Sequence, residues 1–530
     1  MADVIADPEL DPTATYAVDP TRVRSLAARV VAGPGAEQHL SHTPMTGAPL
    51  ASLPVSTPGD VSVAFATARA AQRSWAQLGV NRRSQVFLRF HDLVLERQVE
   101  LLDLIQLESG KTRHHAFAEI ADTANTARHY ARRAASYLKD EHPMGVFPLL
   151  TQTVVSHLPK GVVGIVSPWN FPLILAITDA IPALLAGNGV VLRPDQQTSL
   201  TALAAHELLI EAGLPEGVLQ IVLGPGSSIG QAVVDQADYV CYTGSTPTGR
   251  RIGQSAVARL VGFSLELGGK NSMYVAADAD ISKAVAGALR ACFNGAGQVC
   301  ISAERLLVHR DVHDEFVTRF VEAVEAMKLS TSLEYGPDMG TLVNEKQLET
   351  VSRHVEDARS KGAVVLTGGR ARPDVGPYAY EPTVLSGVTA AMECRDAETF
   401  GPLVSVFEVG SDEEAIALAN DTEYGLNASV WSQDVRRARR IAARISTGTV
   451  NINDGFIPAW ASTAAPMGGM KSSGIGRRHG REGILKYTES QNVTAQYGLA
   501  PFAEVPGVSQ ETYTRGLTLA LRAMKAVGLK

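Results

Sequence analysis

Cysteine is scarce in this chain, with four among 530 residues: Cys241, Cys292, Cys300 and Cys394. Their spacing fits no metal-ligand pattern, and they are too few for a disulfide framework. The expectation is therefore no metal and a reducing, cytoplasmic setting. Excess positive charge is also lacking. A net charge of −7 offers no global attraction for nucleic acid, and none is expected as a partner. The first residues, Met1 to Asp11, have no basic-then-apolar signal pattern. The only long stretch of low charge runs from Gly161 to Leu192. It is interrupted by Pro168, Asn170, Pro172, Asp179, Pro182 and Asn188, so it reads as strand, loop, helix and strand of a buried core rather than a membrane span. Short repeats and low-complexity tracts are missing too.

What is present is an ordinary globular composition, 45% hydrophobic and 19% charged, in a chain long enough for two or more domains. Residues 1–55 are rich in Pro, Ala and Gly with weak periodicity, and read as a loose leading segment. From Asp60 to Leu138 the periodicity is helical, with runs at Arg82 to Ser109 and Ala116 to Leu138. Thr151 to His157 alternates like a strand. Strands and helices then alternate: strands at Gly161 to Val166, Val190 to Arg193, Val218 to Leu223, Tyr239 to Tyr242 and Gly262 to Leu267. The helix from Pro172 to Ala186 is expected to kink or break at Pro182. Continuous apolar strands separated by helices predict an α/β fold with a parallel sheet covered on both faces. A second α/β series follows Cys300. At the end, Tyr513, Leu517, Leu521 and Met524 share one helical face within Ser509 to Leu529, beside Arg515, Arg522 and Lys525. That helix is expected to dock on its own protein or a neighbouring subunit; a membrane surface or partner protein is the other reading.

The chemistry concentrates in a few turns. Gly295-Ala296-Gly297-Gln298-Val299-Cys300 sets a thiol in a Gly-rich turn after an apolar helix. Glu266 lies in Leu265-Glu266-Leu267-Gly268-Gly269-Lys270, and Asn170 in Pro168-Trp169-Asn170-Phe171-Pro172. A nucleophile, a base and an amide donor are the parts of covalent acyl chemistry. Thr243-Gly244-Ser245-Thr246-Pro247-Thr248-Gly249 follows a strand and opens a helix, so its glycines and free amides suit a diphosphate. Glu398, in Glu398-Thr399-Phe400-Gly401-Pro402, can grip ribose hydroxyls.

In this order, with the Arg193-Pro194 loop and Pro466 to Gly474, these stretches resemble the aldehyde dehydrogenase superfamily over about residues 40–495. The resemblance implies a Rossmann-type cofactor domain (56–139 and 161–275), an α/β catalytic domain (276–484) and a β bridging element (140–160 and 485–500). It also implies a homodimer or homotetramer, while the C-terminal amphipathic helical extension (501–530) lies beyond the stretch it covers and rests on periodicity alone. The implied substrate is a small-molecule aldehyde, oxidised with NADP or NAD. Cys300 is the implied nucleophile, Glu266 the base and Asn170 the oxyanion donor. Ser167, Trp169, Asn170, Arg193, Asp195, Gln196, Gly224, Gly244, Ser245, Leu267, Glu398 and Phe400 are the implied cofactor residues. Thr178, Asn294, Val299 and Ile301 are the implied substrate tunnel.

The wording is similar to bacterial succinate-semialdehyde dehydrogenases, with departures. The ribose loop reads Arg193-Pro194-Asp195-Gln196, with neutral Gln196 where NAD-preferring relatives place an acid. That favours NADP, as does Arg193, whose guanidinium can make a bidentate phosphate contact, with Asp195 pulling the other way. The two arginines that usually hold a substrate carboxylate are replaced by Asn294 and Thr178, beside Asp179. Ser302 replaces a second cysteine. The alternatives are a general aliphatic or aromatic aldehyde dehydrogenase, a CoA-acylating enzyme, which generally lacks the base that Glu266 supplies, and a binding protein on the same scaffold.

Overall fold

The computed structural model describes residues 18–146, 150–497 and 506–528. Two parallel sheets dominate. The first has six strands in the order Gly474–Ile475, Gly262–Glu266, Tyr239–Thr243, Val162–Val166, Gly189–Arg193 and Leu219–Ile221. All pair in parallel except the short Gly474–Ile475, which runs antiparallel to Gly262–Glu266. Val162–Val166 and Gly189–Arg193 are buried along their whole length, as expected of strands covered on both faces. The second sheet has seven strands, ordered Val364–Thr367, Thr383–Ser386, Leu403–Val409, Ala303–His309, Asn271–Val275, Asn427–Trp431 and Thr449–Ile452. The predicted α/β class is the observed one. Asn271–Val275, Thr383–Ser386 and Leu403–Val409 escaped the periodicity reading.

The helical region divides into Pro58–Gln77, Val80–Glu96, Gln98–Ser109 and Arg113–Tyr137. Thr57 and Asp60 form a reciprocal capping box that starts the first helix. The expected run from Arg82 to Ser109 is interrupted at Arg97, which leaves helical geometry at φ −102° and ψ 18°. The leading segment is more ordered than its composition suggests. It holds the helix Pro20–Ala27 and an antiparallel pair, Gln38–His42 with Pro49–Pro54. Short strands punctuated by proline carry too few residues for periodicity to register.

The stretch from Pro172 to Ala186 forms two helices, Ile174–Ile177 and Ala180–Leu185. The interruption falls at Thr178 and Asp179, not at Pro182. The physical cause is still Pro182: its ring clashes with the carbonyl four residues earlier, which belongs to Thr178.

Thr151–Pro159 and Thr488–Gln496 form a two-stranded antiparallel ribbon in unbroken register from Thr488 opposite Pro159 to Gln496 opposite Thr151. Leu158 and Val493 are exposed on it. The C-terminal helix Gln510–Ala526 buries none of its residues. Tyr513, Leu517 and Met524 are only half-buried and Leu521 is exposed, so the expected docking on its own chain is not observed. No helix among the described residues is long and apolar enough to cross a membrane. Residues 1–17, which include Met1 to Asp11, and residues 147–149, 498–505 and 529–530 lie outside the described residues.

Candidate active site

Cys300 follows the helix Ile281–Phe293 through a turn in which Gly295, Ala296 and Gly297 all have left-handed backbones, φ 57°, 56° and 70°. Three such residues in succession reverse the chain sharply. A Cβ at Gly297 would lie 2.1 Å from the Gly401 carbonyl oxygen, so only glycine fits there. Ala296 has no such freedom, and its strain is held by the packed turn around it. Gln298 is the brace: its Oε1 accepts from Val343 N at 2.9 Å, and its Nε2 donates to Gly295 O at 3.3 Å. Asn271 Nδ2 donates to the Cys300 and Ser302 carbonyls, both at 2.8 Å. Ser302 Oγ donates to Ala291 O and Cys292 O, the last carbonyls of the preceding helix. All four cysteines are free; three are buried, and Cys300 is the half-buried one.

Asn170 Nδ2 donates to Gln298 O at 3.0 Å. An amide nitrogen carries two hydrogens, so one remains for an incoming oxyanion. The Asn170 loop is held by an ion pair invisible to motif reading. Lys111 Nζ donates to Glu119 Oε1 and to Asn170 O, both at 2.7 Å. Glu119 Oε2 accepts from Leu173 N and Ile174 N. The only sequence signal was a lysine just past a helix-ending glycine.

Glu266 ends the strand Gly262–Glu266 and is buried. Burial pushes its carboxyl up to about 7, while nearby Arg478 and Lys486 resist that rise. Lys270 does not neutralise it, because Lys270 pairs with Glu304. Glu304 in turn accepts from Thr399 N and Phe400 N and so fixes the Glu398 loop. A Cβ at Gly269 would lie 2.7 Å from Cys300 O, so the segment after Glu266 runs directly beside the thiol turn. Burial raises the Cys300 thiol to about 12, with the Glu398 and Glu266 carboxylates adding to the rise. The thiol therefore needs a proton acceptor to become a nucleophile.

Asp179 does not stand as a bare like charge beside the substrate, as its sequence position suggested. It is 3% exposed and paired with Arg478 at 2.5 Å and Lys486 at 3.2 Å. Burial works to raise its carboxyl, but these two cations hold it at about 2. Arg478 also donates to Thr243 Oγ1 at 2.6 Å. This network ties the segment after Gly474 to the first sheet beside Glu266. Arg478 and Lys486 belong to no recognised motif.

A cavity of about 460 Å³ lies at the carboxyl ends of the first sheet's strands. Such strand ends are where open α/β sheets bind ligands. Ser167, Trp169, Arg193, Asp195, Gly244 and Ser245 line it; Gln196, Gly224, Leu267, Glu398 and Phe400 do not. Its residues fit a dinucleotide. Gly244 has φ +159°, and a Cβ there would lie 2.3 Å from the Tyr242 hydroxyl, so the backbone is bare beside the start of the helix Thr246–Ala258. The buried Ser167 Oγ has no hydrogen-bond partner among the described residues. The Arg193 fork is not free for a phosphate: Nε and Nη2 both donate to Gly224 O, and Nη1 pairs with Asp195 at 3.3 Å. Arg251, which motif reading missed, lines the same cavity. Glu398 Oε1 accepts from Gly269 N at 3.0 Å; burial, then Glu304, raises its carboxyl to about 8. Phe400 meets Trp169 edge-on at 5.5 Å. Leu267 is buried, its N–H donating to Ser473 O.

Val299 and Ile301 share an apolar cluster with Phe171, Phe456, Cys300 and Trp460. Asn294 lines a second cavity of about 320 Å³ bounded by Phe171, Phe456 and Trp460. Thr178 is buried and its hydroxyl donates back to Ile174 O at 2.8 Å; it does not line that cavity.

Known proteins share this architecture. A Mycobacterium ulcerans (strain Agy99) protein named putative succinate-semialdehyde dehydrogenase (NADP(+)) 2 is 53% identical over 463 residues, covering 87% of this chain and 89% of that protein. The aldehyde dehydrogenase structure from Brucella melitensis biovar abortus 2308 is 32% identical with a TM-score of 0.86, covering 92% and 100% of the two chains. An NAD+ complex of aldehyde dehydrogenase from Bacillus cereus is 33% identical with a TM-score of 0.85, covering 90% and 99%. Residues 31–493 match the aldehyde dehydrogenase family, and the chain belongs to it.

Proposed function

We propose that this chain oxidises an aldehyde to a carboxylic acid, using NADP in preference to NAD, by a hydrolytic route through Cys300. The observation that carries the reading is the convergence of three segments: the Cys300 turn, the Asn170 amide hydrogen-bonded to that turn, and the Glu266 segment beside it. Cys300 Sγ attacks the aldehyde carbon once its proton is removed. The resulting thiohemiacetal oxyanion is held by the free Asn170 N–H and the Cys300 backbone N–H. A nicotinamide cofactor held in the 460 Å³ cavity would supply the hydride acceptor, and loss of hydride from the thiohemiacetal carbon would leave a thioester on Cys300. Glu266, poised near neutrality, takes a proton from water; the water adds to the thioester, the thiol leaves, and the acid is released. Purified protein given propanal and NADP without CoA forms one propanoate per NADPH. A requirement for CoA in product formation would overturn the hydrolytic route.

The domain roles follow as part of the proposal. Segments 56–139 and 161–275 hold the cofactor and 276–484 carry the thiol. The ribbon within 140–160 and 485–500 meets a neighbouring copy in a homodimer or homotetramer.

The preference for NADP rests on the name of the Mycobacterium relative and on Arg251 beside the cofactor cavity. With Arg193 engaged internally, Arg251 is the cation proposed for the 2′-phosphate. Arg251→Ala is expected to raise KM for NADP by about tenfold or more while leaving KM for NAD within about twofold. Equal changes for both cofactors would remove Arg251 from that role.

The relative's name points to succinate semialdehyde, but among the described residues no arginine or lysine lines the 320 Å³ cavity. A partly desolvated carboxylate without a cation is costly. The proposed substrate is therefore an aldehyde with no carboxylate at its far end.

A further inference from the structure

The buried charges of this protein are almost all compensated. Lys111 pairs with Glu119, Lys270 with Glu304, and Arg478 and Lys486 with Asp179. Glu108 accepts from Leu200 N, Thr201 N and Thr201 Oγ1. Two buried acids stand apart among the described residues: Glu266, the proposed base, and Asp122. Asp122 lies on the helix Arg113–Tyr137 and is 7% exposed; neither carboxyl oxygen has a well-formed hydrogen-bond partner among the described residues, although the Trp460 indole lies close enough to favour its ionised form. A buried carboxyl so weakly compensated costs free energy, and a cation arriving from outside the chain would offset that cost.

That partner has a place to sit. Asp122 lines the 320 Å³ cavity, whose walls are otherwise largely apolar and aromatic: Phe171, Phe456 and Trp460. The Phe171 and Trp460 rings lie 5.2 Å apart, and both belong to the apolar cluster that includes Cys300. The cavity thus shares its aromatic wall with the cluster that holds the thiol, and carries an acid in that wall. The neighbouring cations, Lys111 and Arg478, already have their own carboxylates and cannot serve Asp122 without abandoning them.

We propose that Asp122, with the ring faces of Trp460 and Phe456, receives the ammonium group of an amino-substituted aldehyde whose carbonyl reaches Cys300. An ammonium supplies the missing donors, and aromatic faces attract cations. Burial pushes the Asp122 carboxyl up to about 7, while the Trp460 indole and Arg478 favour its ionised form. An arriving cation draws it fully into that form. The inference rests on the aldehyde-oxidising reading above and adds the charge of the substrate.

The test compares kcat/KM of the full-length enzyme with NADP for 3-aminopropanal, propanal and succinate semialdehyde, in wild type and in Asp122→Asn. The expected wild-type order places 3-aminopropanal at least about tenfold above propanal, with succinate semialdehyde lowest. In Asp122→Asn the ratio of 3-aminopropanal to propanal is expected to fall at least about tenfold, chiefly through KM. A second measurement uses wild type alone: n-propylammonium should inhibit propanal oxidation competitively and propanoate should not. A wild-type preference for succinate semialdehyde overturns the inference. So does a variant in which both ratio partners fall equally, or inhibition by propanoate but not by the amine. Failure to oxidise any of the three aldehydes overturns the aldehyde-oxidising reading instead.

Discussion

Replacing Cys300 with alanine is expected to reduce aldehyde oxidation by at least about a thousandfold while leaving the fold intact. Loss of the thiol removes the bond on which every later step depends. The fold should persist because the turn is held by other groups: Gln298, Asn271 and Ser302 make the hydrogen bonds, and Cys300 contributes its backbone carbonyl. The side chain is only half-buried, so its loss leaves a small gap rather than a sealed void in a core. Steady-state turnover and thermal melting of the variant check the two halves of the expectation. Turnover within about tenfold of wild type would remove Cys300 from the nucleophile's role.

Glu266→Gln should separate the two halves of the reaction. Glutamine keeps the shape and cannot take a proton, so thioester hydrolysis should slow by about a hundredfold or more. Oxidation to the thioester should continue once per site. The readout is a burst of reduced cofactor equal to the enzyme concentration, followed by a slow steady state. The pH profile supplies an independent check. A base works when deprotonated, so wild-type kcat should rise as pH passes through about 7 and fall below it, since burial raises the Glu266 carboxyl to about that value. The variant should lose that limb. Equal slowing of burst and steady state would assign Glu266 to deprotonating the thiol rather than the water.

Much of the candidate site was legible in the chain because its chemistry sits in short, locally unusual turns. Consecutive glycines before Cys300, a Trp-Asn between prolines, and a glutamate before two glycines need no tertiary contact to stand out. The alternation of fully apolar strands with helices likewise determined the α/β class, since a strand buried on both faces leaves a continuous apolar run.

Tertiary structure alone decided the electrostatics. Asp179 reads as a stray acid in sequence, and only folding brings Arg478 and Lys486, about three hundred residues later, against it. Lys270 stands four residues from Glu266 yet pairs with Glu304, because the chain turns between strand and strand. Arg193, read as a phosphate fork, spends its donors on Gly224 O. Asp122 looks like any polar residue on an amphipathic helix until a cavity opens beside it. Local sequence specifies backbone geometry and burial pattern, which act over a few residues. The charge state and partner of an ionisable group depend on which distant segments exclude water around it, and that is decided only when the chain has packed.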